Sequence, residues 1–183
     1  MHNFSGDRLL KASLILIARQ ISAFNRFIGK SVSWCSLFLV VLVFVIAVLR
    51  YAFKIGSIPM QELVIYLHAL IFMAGASYTL ADDKHVRVDV IYAKLSKEKK
   101  AWINLAGTIL FLFPVAVFIL IASVDYVALS WRINESSAEA GGLPYLFLLK
   151  SLILIMPGLL ILQGLANVMN SLVTIMEGNE SRD

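Results

Sequence analysis

Few residues of this chain can do chemistry, and most of them lie at the edges of apolar sequence. Glu62, His68, Asp125 and Lys150 lie in or beside long hydrocarbon runs, and Arg50 closes another. A charge at the centre of a bilayer costs about 2.5–3.5 kcal/mol on insertion scales and less near its edge, so each of these needs a reason. With crossings alternating in direction, Arg50, Glu62, Asp125 and Lys150 all fall near the outer ends of their runs. Snorkelling with local pairing explains them there: Arg50 with Glu62, and Lys150 with Asp125 or Glu135. Docking to a partner at that face or within the membrane is the other account. His68 is the one histidine clearly inside a run. It has the chemistry of a haem ligand or a proton carrier, but a bis-histidine haem needs a second, facing histidine, and His2 and His85 are in the wrong places. A hydrogen bond to a neighbouring helix is the ordinary role of such a residue. The single cysteine, Cys35, lies within an apolar run and reads as a small packing residue. No phosphate-binding glycine loop, nucleophile elbow or metal-binding histidine pair occurs. These residues supply no catalytic or metal site, and the chain is not read as an enzyme.

The elements that must position these residues are apolar helices. Four runs, at 32–49, 58–80, 103–124 and 143–176, are each long enough to cross the roughly 30 Å hydrocarbon core, which takes about 20 helical residues. A helix satisfies its own backbone hydrogen bonds where lipid offers none. Of the 183 residues, 60% are hydrophobic and only 15% charged, with a mean hydropathy of +0.83. Soluble domains carry about 25% charged residues. The expected fold is therefore all-α: four transmembrane helices over 31–176, an amphipathic arm at 1–30 and a short polar tail at 177–183. No cleavable signal is expected, because the apolar stretch at 14–18 is short and is interrupted by Arg19.

Basic residues concentrate in the arm (Arg8, Lys11, Arg19, Arg26, Lys30) and between the second and third runs (Lys84, Arg87, Lys94, Lys97, Lys99, Lys100). Positive segments stay in the cytoplasm, so both termini are expected inside, with the first and third connections outside. The net charge of +4 is spread beside apolar spans, which excludes a nucleic-acid partner and fits membrane lipid. In the arm, Leu10, Leu14, Ile17, Ile21, Phe24 and Ile28 recur at three- and four-residue steps, the pattern of a basic amphipathic helix lying in the headgroup plane. A cytoplasmic extension of the first span is the competing reading.

Within the second run, Glu62 and Tyr66 share one face, and Gln61 and His68 another. Ala74, Gly75, Ala76 and Ser77 are small enough for close helix approach. Tyr51, Trp102 and Trp131 are placed as interface anchors. Pro114 is expected to bend the third span, and Pro157 with Gly158 to break or kink the fourth.

The sequence resembles the small four-helix membrane subunit of tripartite ATP-independent periplasmic (TRAP) transporters. The likeness rests on Arg50-Tyr51 with Gln61-Glu62-Leu63 and Tyr66-Leu67, and on Ala76-Ser77-Tyr78-Thr79-Leu80 with His85-Val86-Arg87-Val88-Asp89. It continues through Glu135-Ser136-Ser137, Gly142-Leu143-Pro144, Lys150 and Leu162-Gln163-Gly164-Leu165. Relatives often carry two acidic residues where this chain has Gln61-Glu62, so Glu62 is the lone carboxylate there.

The resemblance implies a scaffold beside a large elevator-type membrane subunit, which carries the substrate and sodium sites. A periplasmic substrate-binding protein delivers a small organic acid, such as a dicarboxylate, sialic acid or another sugar acid. It implies a multi-pass protein of the bacterial inner membrane that binds no cofactor itself. On that scaffold, Arg50, Glu62, Asp125, Glu135, Glu139 and Lys150 are expected to serve outer-end pairing or docking, and His85, Arg87 and Asp89 to anchor the inner end of the second span. A membrane anchor for a haem or quinone redox complex, or a free-standing small transporter, are the alternatives.

Overall fold

The computed structural model describes residues 4–82, 92 and 95–180. Every regular element among them is helical, and four helices are long and apolar enough to cross a membrane. Helix α1 spans Phe4–Ala52 and α2 spans Ile58–Ala81. The third crossing is composite: α3 at Lys97–Gly107, a π-helical turn at Thr108–Leu112, and α4 at Phe113–Arg132. Helix α5 spans Leu146–Glu180. The passes alternate in direction. One end of the molecule carries the 53–57 and 133–145 connections and is called the loop end; the other, where α2 ends and α3 begins with Lys97, Lys99 and Lys100, is called the basic end.

Helix α5 is the hub. It packs against α1 and α2 on one side and against α3 and α4 on the other, and α1 also packs along α2. Buried hydrophobic residues follow this plan: Leu152, Leu159, Ala166, Val173 and Ile175 lie on α5, with Ala101 and Leu105 of α3 packed near Ile175. Most other apolar side chains point outward, as a lipid-facing surface requires. The composite third crossing has 36 residues, about 54 Å of helix at 1.5 Å each. Even a 40° tilt leaves about 41 Å along the bilayer normal, so this crossing and α5 extend past the hydrocarbon core.

At Pro114, where a bend is expected, the third crossing carries a π turn. Phe113 N–H donates to Thr108 O, a five-residue step that widens the helix immediately before the proline. The widening makes room for the ring and absorbs the hydrogen bond that proline cannot make. Pro157 behaves differently. It is fully buried inside α5, which stays continuous through it, so of the break or kink expected there the break does not occur.

The arm and the first span form one helix, because α1 runs without interruption from one into the other. Its buried face is Ala18, Ser22, Asn25 and Gly29, at steps of four, three and four. A Cβ on Gly29 would fall 2.3 Å from Tyr78 Cβ, so only glycine lets α1 and α2 approach this closely. The salt bridge from Arg26 Nη1 to Asp82 Oδ1, 3.5 Å, ties the same stretch to the end of α2. The expected apolar stripe divides: Leu10, Ile17 and Phe24 are exposed, whereas Leu14, Ile21 and Ile28 are half-buried beside the packed seam. Close packing selected the small and polar residues, and the outer half of the stripe remains for lipid.

Candidate functional site

At the loop end, two side chains from spans hold the 133–145 connection. Helix α4 closes with Asn134 in the left-handed region (φ 46°). Asn134 N–H bonds to Trp131 O at 3.3 Å and Glu135 N–H to Ser130 O at 3.0 Å, the paired bonds of a Schellman cap. That cap aims Glu135 back at the membrane, where its carboxylate meets Lys150 Nζ at 2.5 Å. Lys150 lies four residues into α5, largely enclosed, and its ammonium also stands 4.1 Å from the centre of the Tyr126 ring. The Glu135 carboxyl is held below its usual pKa, chiefly by the hydrogen bond from Lys150. Trp131 Nε1 donates to Ser151 Oγ at 2.8 Å and its ring stands edge-on to Phe147, fastening α4 to α5.

Glu62 holds the far side of the same loop. Its Oε2 accepts the Leu143 N–H at 2.6 Å, and its Oε1 accepts from the Ser137 hydroxyl. Ser137 Oγ in turn accepts the Glu139 N–H at 3.1 Å, and Ser137 N–H donates to Leu143 O at 3.0 Å. The loop is thus folded around one carboxylate. Gly142 is forced by the same geometry, since a Cβ there would fall 2.5 Å from Ser137 Cβ and 2.7 Å from Glu62 Oε1. Gly141 supplies the positive φ (79°) of the turn.

The pairing expected between Arg50 and Glu62 is therefore replaced. Glu62 spends both oxygens on the loop, while Arg50 is exposed. Asp125 and Glu139 are exposed as well, and the Lys150 ammonium goes to Glu135 rather than to Asp125. Among the anchors, Tyr51, Trp102 and Trp131 all present large exposed rings. Of the small residues of α2, Ala74 and Ser77 are buried, whereas Gly75 faces open space. Residues three apart share a face and Gly75 lies a quarter-turn or more away. His85, Arg87 and Asp89 lie outside the described residues.

Sequence reasoning missed a second polar assembly. Asn25 Nδ2 donates to Gln163 Oε1 at 3.0 Å and to Leu159 O at 3.4 Å. Gln163 Nε2 donates to Ser22 Oγ and to Asn167 Oδ1, both at 3.1 Å. Asn25, Gln163 and Ser22 are all buried, so this amide cluster locks α1 to α5. Its signal is the spacing of Ala18, Ser22, Asn25 and Gly29, a small-and-polar seam at helical period. Among the described residues, no three of His, Cys, Asp and Glu converge as metal ligands. His68 lies on the surface of α2, its ring stacked on Phe72. What the polar groups do is mechanical: they join helices and shape one loop.

The family model for the DctQ component of tripartite ATP-independent periplasmic transporters matches residues 39–174. No curated protein and no solved structure matches the chain. The matched family is a transporter component, which gives the redox-anchor alternative no support. The matched stretch takes in α2, the loop-end staple, the π turn and the Gln163 hub of α5, which is well over half the chain. The chain therefore belongs to the DctQ family, the small membrane component of TRAP transporters.

Proposed function

We propose that this chain is the fixed scaffold of a secondary transporter. In this reading it stands beside a large elevator-type subunit that binds the substrate and the coupling ion, which we take to be sodium. It lies in the bacterial inner membrane with the basic end and both termini in the cytoplasm, as the distribution of Lys and Arg favours. Its loop end then faces the periplasm and offers part of the surface on which the substrate-binding protein docks. The cargo is a small organic acid, such as a dicarboxylate, sialic acid or another sugar acid. The chain itself binds neither cofactor nor metal.

The observation that carries this reading is the loop end. A glycine-rich loop is tied down by Glu62 and by the Glu135–Lys150 pair, while Arg50, Arg132, Asp125 and Glu139 remain exposed around it. Internal charges that are consumed in fixing a loop make a rigid platform, and charges that are left outward give that platform electrostatic selectivity for a soluble partner. The long α1 and its exposed apolar stripe supply a broad footing in lipid, which a stator needs if the moving subunit is not to drag it.

The test is uptake by cells carrying the large subunit and the binding protein, with and without this chain, across a panel of labelled organic acids. The proposal expects uptake of one acid class to vanish without the chain and return on complementation. Uptake that persists at the full rate without it contradicts the scaffold role. Reversing Glu139 together with Arg132 should weaken uptake at limiting binding protein while the complex still assembles.

A further inference from the structure

Gln61, Ile65, His68 and Phe72 follow one another at steps of four, three and four, and all four are exposed along one face of α2. Helix α2 begins at Ile58. At 1.5 Å per residue His68 lies about 15 Å along it, which is half the thickness of a roughly 30 Å hydrocarbon core. The imidazole is stacked on Phe72, with ring centroids 6.5 Å apart and planes 16° apart. Among the described residues it has no hydrogen-bond partner.

The other exposed mid-span surfaces are hydrocarbon. Phe38, Val41 and Phe44 cover α1, and Phe118 and Ile121 cover α4. Those faces suit acyl chains. A histidine at bilayer depth does not, because lipid cannot meet its ring nitrogens, and intramembrane ionisable residues almost always face the interior of a bundle. His68 faces away from this chain's own bundle. The interior it faces must therefore belong to a larger assembly.

We propose that the Gln61–Ile65–His68–Phe72 face of α2 is the surface that seats the large membrane subunit, with His68 hydrogen-bonded to a polar group of that subunit near the middle of the bilayer. This rests on the scaffold reading and names the face that it uses. A soluble binding protein cannot reach this depth, and a tripartite transporter supplies a partner embedded in the membrane. The apolar faces of α1 and α4 are then left to lipid.

The experiment places a photoreactive benzoylphenylalanine at Ile65 or Phe72, or at Phe38 or Phe118 as controls. It is run in cells expressing the complete transporter with a tagged large subunit. The proposal expects adducts with the large subunit from positions 65 and 72, and none from 38 and 118. Adducts with the large subunit only from 38 or 118 overturn the choice of face and leave the scaffold reading standing. Adducts from 65 and 72 with a second copy of this chain, or no adducts there, also overturn it. A large subunit that neither crosslinks from any position nor copurifies refutes the scaffold reading itself.

A second measurement reads the histidine. H68L should lower retention of the large subunit in mild detergent about three- to tenfold, the size of one hydrogen bond between membrane helices. H68Q, which keeps a donor and an acceptor, should restore it. Unchanged retention in H68L overturns the role given to His68.

Discussion

Replacing Glu62 with alanine removes the carboxylate around which the 133–145 loop is folded. Two hydrogen bonds disappear with it, from the Leu143 N–H and from the Ser137 hydroxyl. Bonds to a charged acceptor contribute about 1.5–3 kcal/mol each. Glu62 is half-buried, so solvent takes back part of that gain, and the lower figure applies. The loop should lose about 3 kcal/mol of local stability, which is roughly a hundredfold in the equilibrium between closed and open forms. Amide exchange reads that equilibrium directly. In E62A, deuterium uptake over 136–144 should accelerate about a hundredfold, with the helical interior of α5 unchanged. E62Q should fall between, because one amide oxygen still accepts from Leu143 while the amide nitrogen faces Ser137 Oγ. Exchange at Leu143 that is the same in E62A and in the unsubstituted protein would refute the claim that this carboxylate organises the loop.

Three further predictions concern the helix joints. Because the folded-state pKa of Glu135 is depressed, its pairing with Lys150 stabilises fully above the ordinary carboxylate pKa and is lost as pH falls through the lowered value. Melting curves of the protein and of E135Q should differ at neutral pH and converge in acid; a difference that does not change with pH contradicts this. G29A should destabilise by about 1–3 kcal/mol, since its Cβ would overlap Tyr78, whereas G75A meets open space and should be neutral or slightly stabilising. Equal melting temperatures for the two variants would show that the α1–α2 contact is not close-packed. Q163L should cost about 1–2 kcal/mol by stranding Asn25 and Ser22, and a double-mutant cycle with N25L should return a coupling of about the same size. Additive losses would mean that the two amides do not interact.

The parts of the fold written in local sequence were legible, and the parts written in pairings were not. Hydropathy marked four crossings because lipid demands long apolar runs. Pro59 in the first turn of α2 is a signal of the same local kind, because a helix start tolerates a residue without an N–H. The continuity of α1 was hidden by its charges: Arg19, Arg26 and Lys30 interrupt a spanning run without interrupting a helix. The apolar stripe of the arm was visible, but the closest packing falls beside it, since close approach depends on Ala18 and Gly29 being small rather than greasy. Pro114 was readable as a disturbance of the third span, and the π turn that accommodates it was not, because the wider turn is a backbone adjustment with no side-chain signature.

The candidate site divides in the same way. Lys150 near a helix end predicts an acidic partner, but the choice of Glu135 over Asp125 depends on a left-handed Asn134 that turns the chain back. Glu62 reads as a charge looking for a cation, and its actual partners are a hydroxyl and a backbone N–H more than seventy residues away. Asn25 and Gln163 are 138 residues apart. Each is unremarkable where it stands, and only their meeting makes a joint.

The central claim is that this chain is one fixed component of a larger transporter. The most direct test is to purify it by affinity in mild detergent, expressed with its neighbouring genes, and to identify what comes with it by mass spectrometry and an absorbance scan. The expected result is a colourless complex with one large many-span subunit in equal amount, to which the periplasmic binding protein adds when supplied. A haem spectrum, a soluble oxidoreductase, or the chain recovered alone would contradict it.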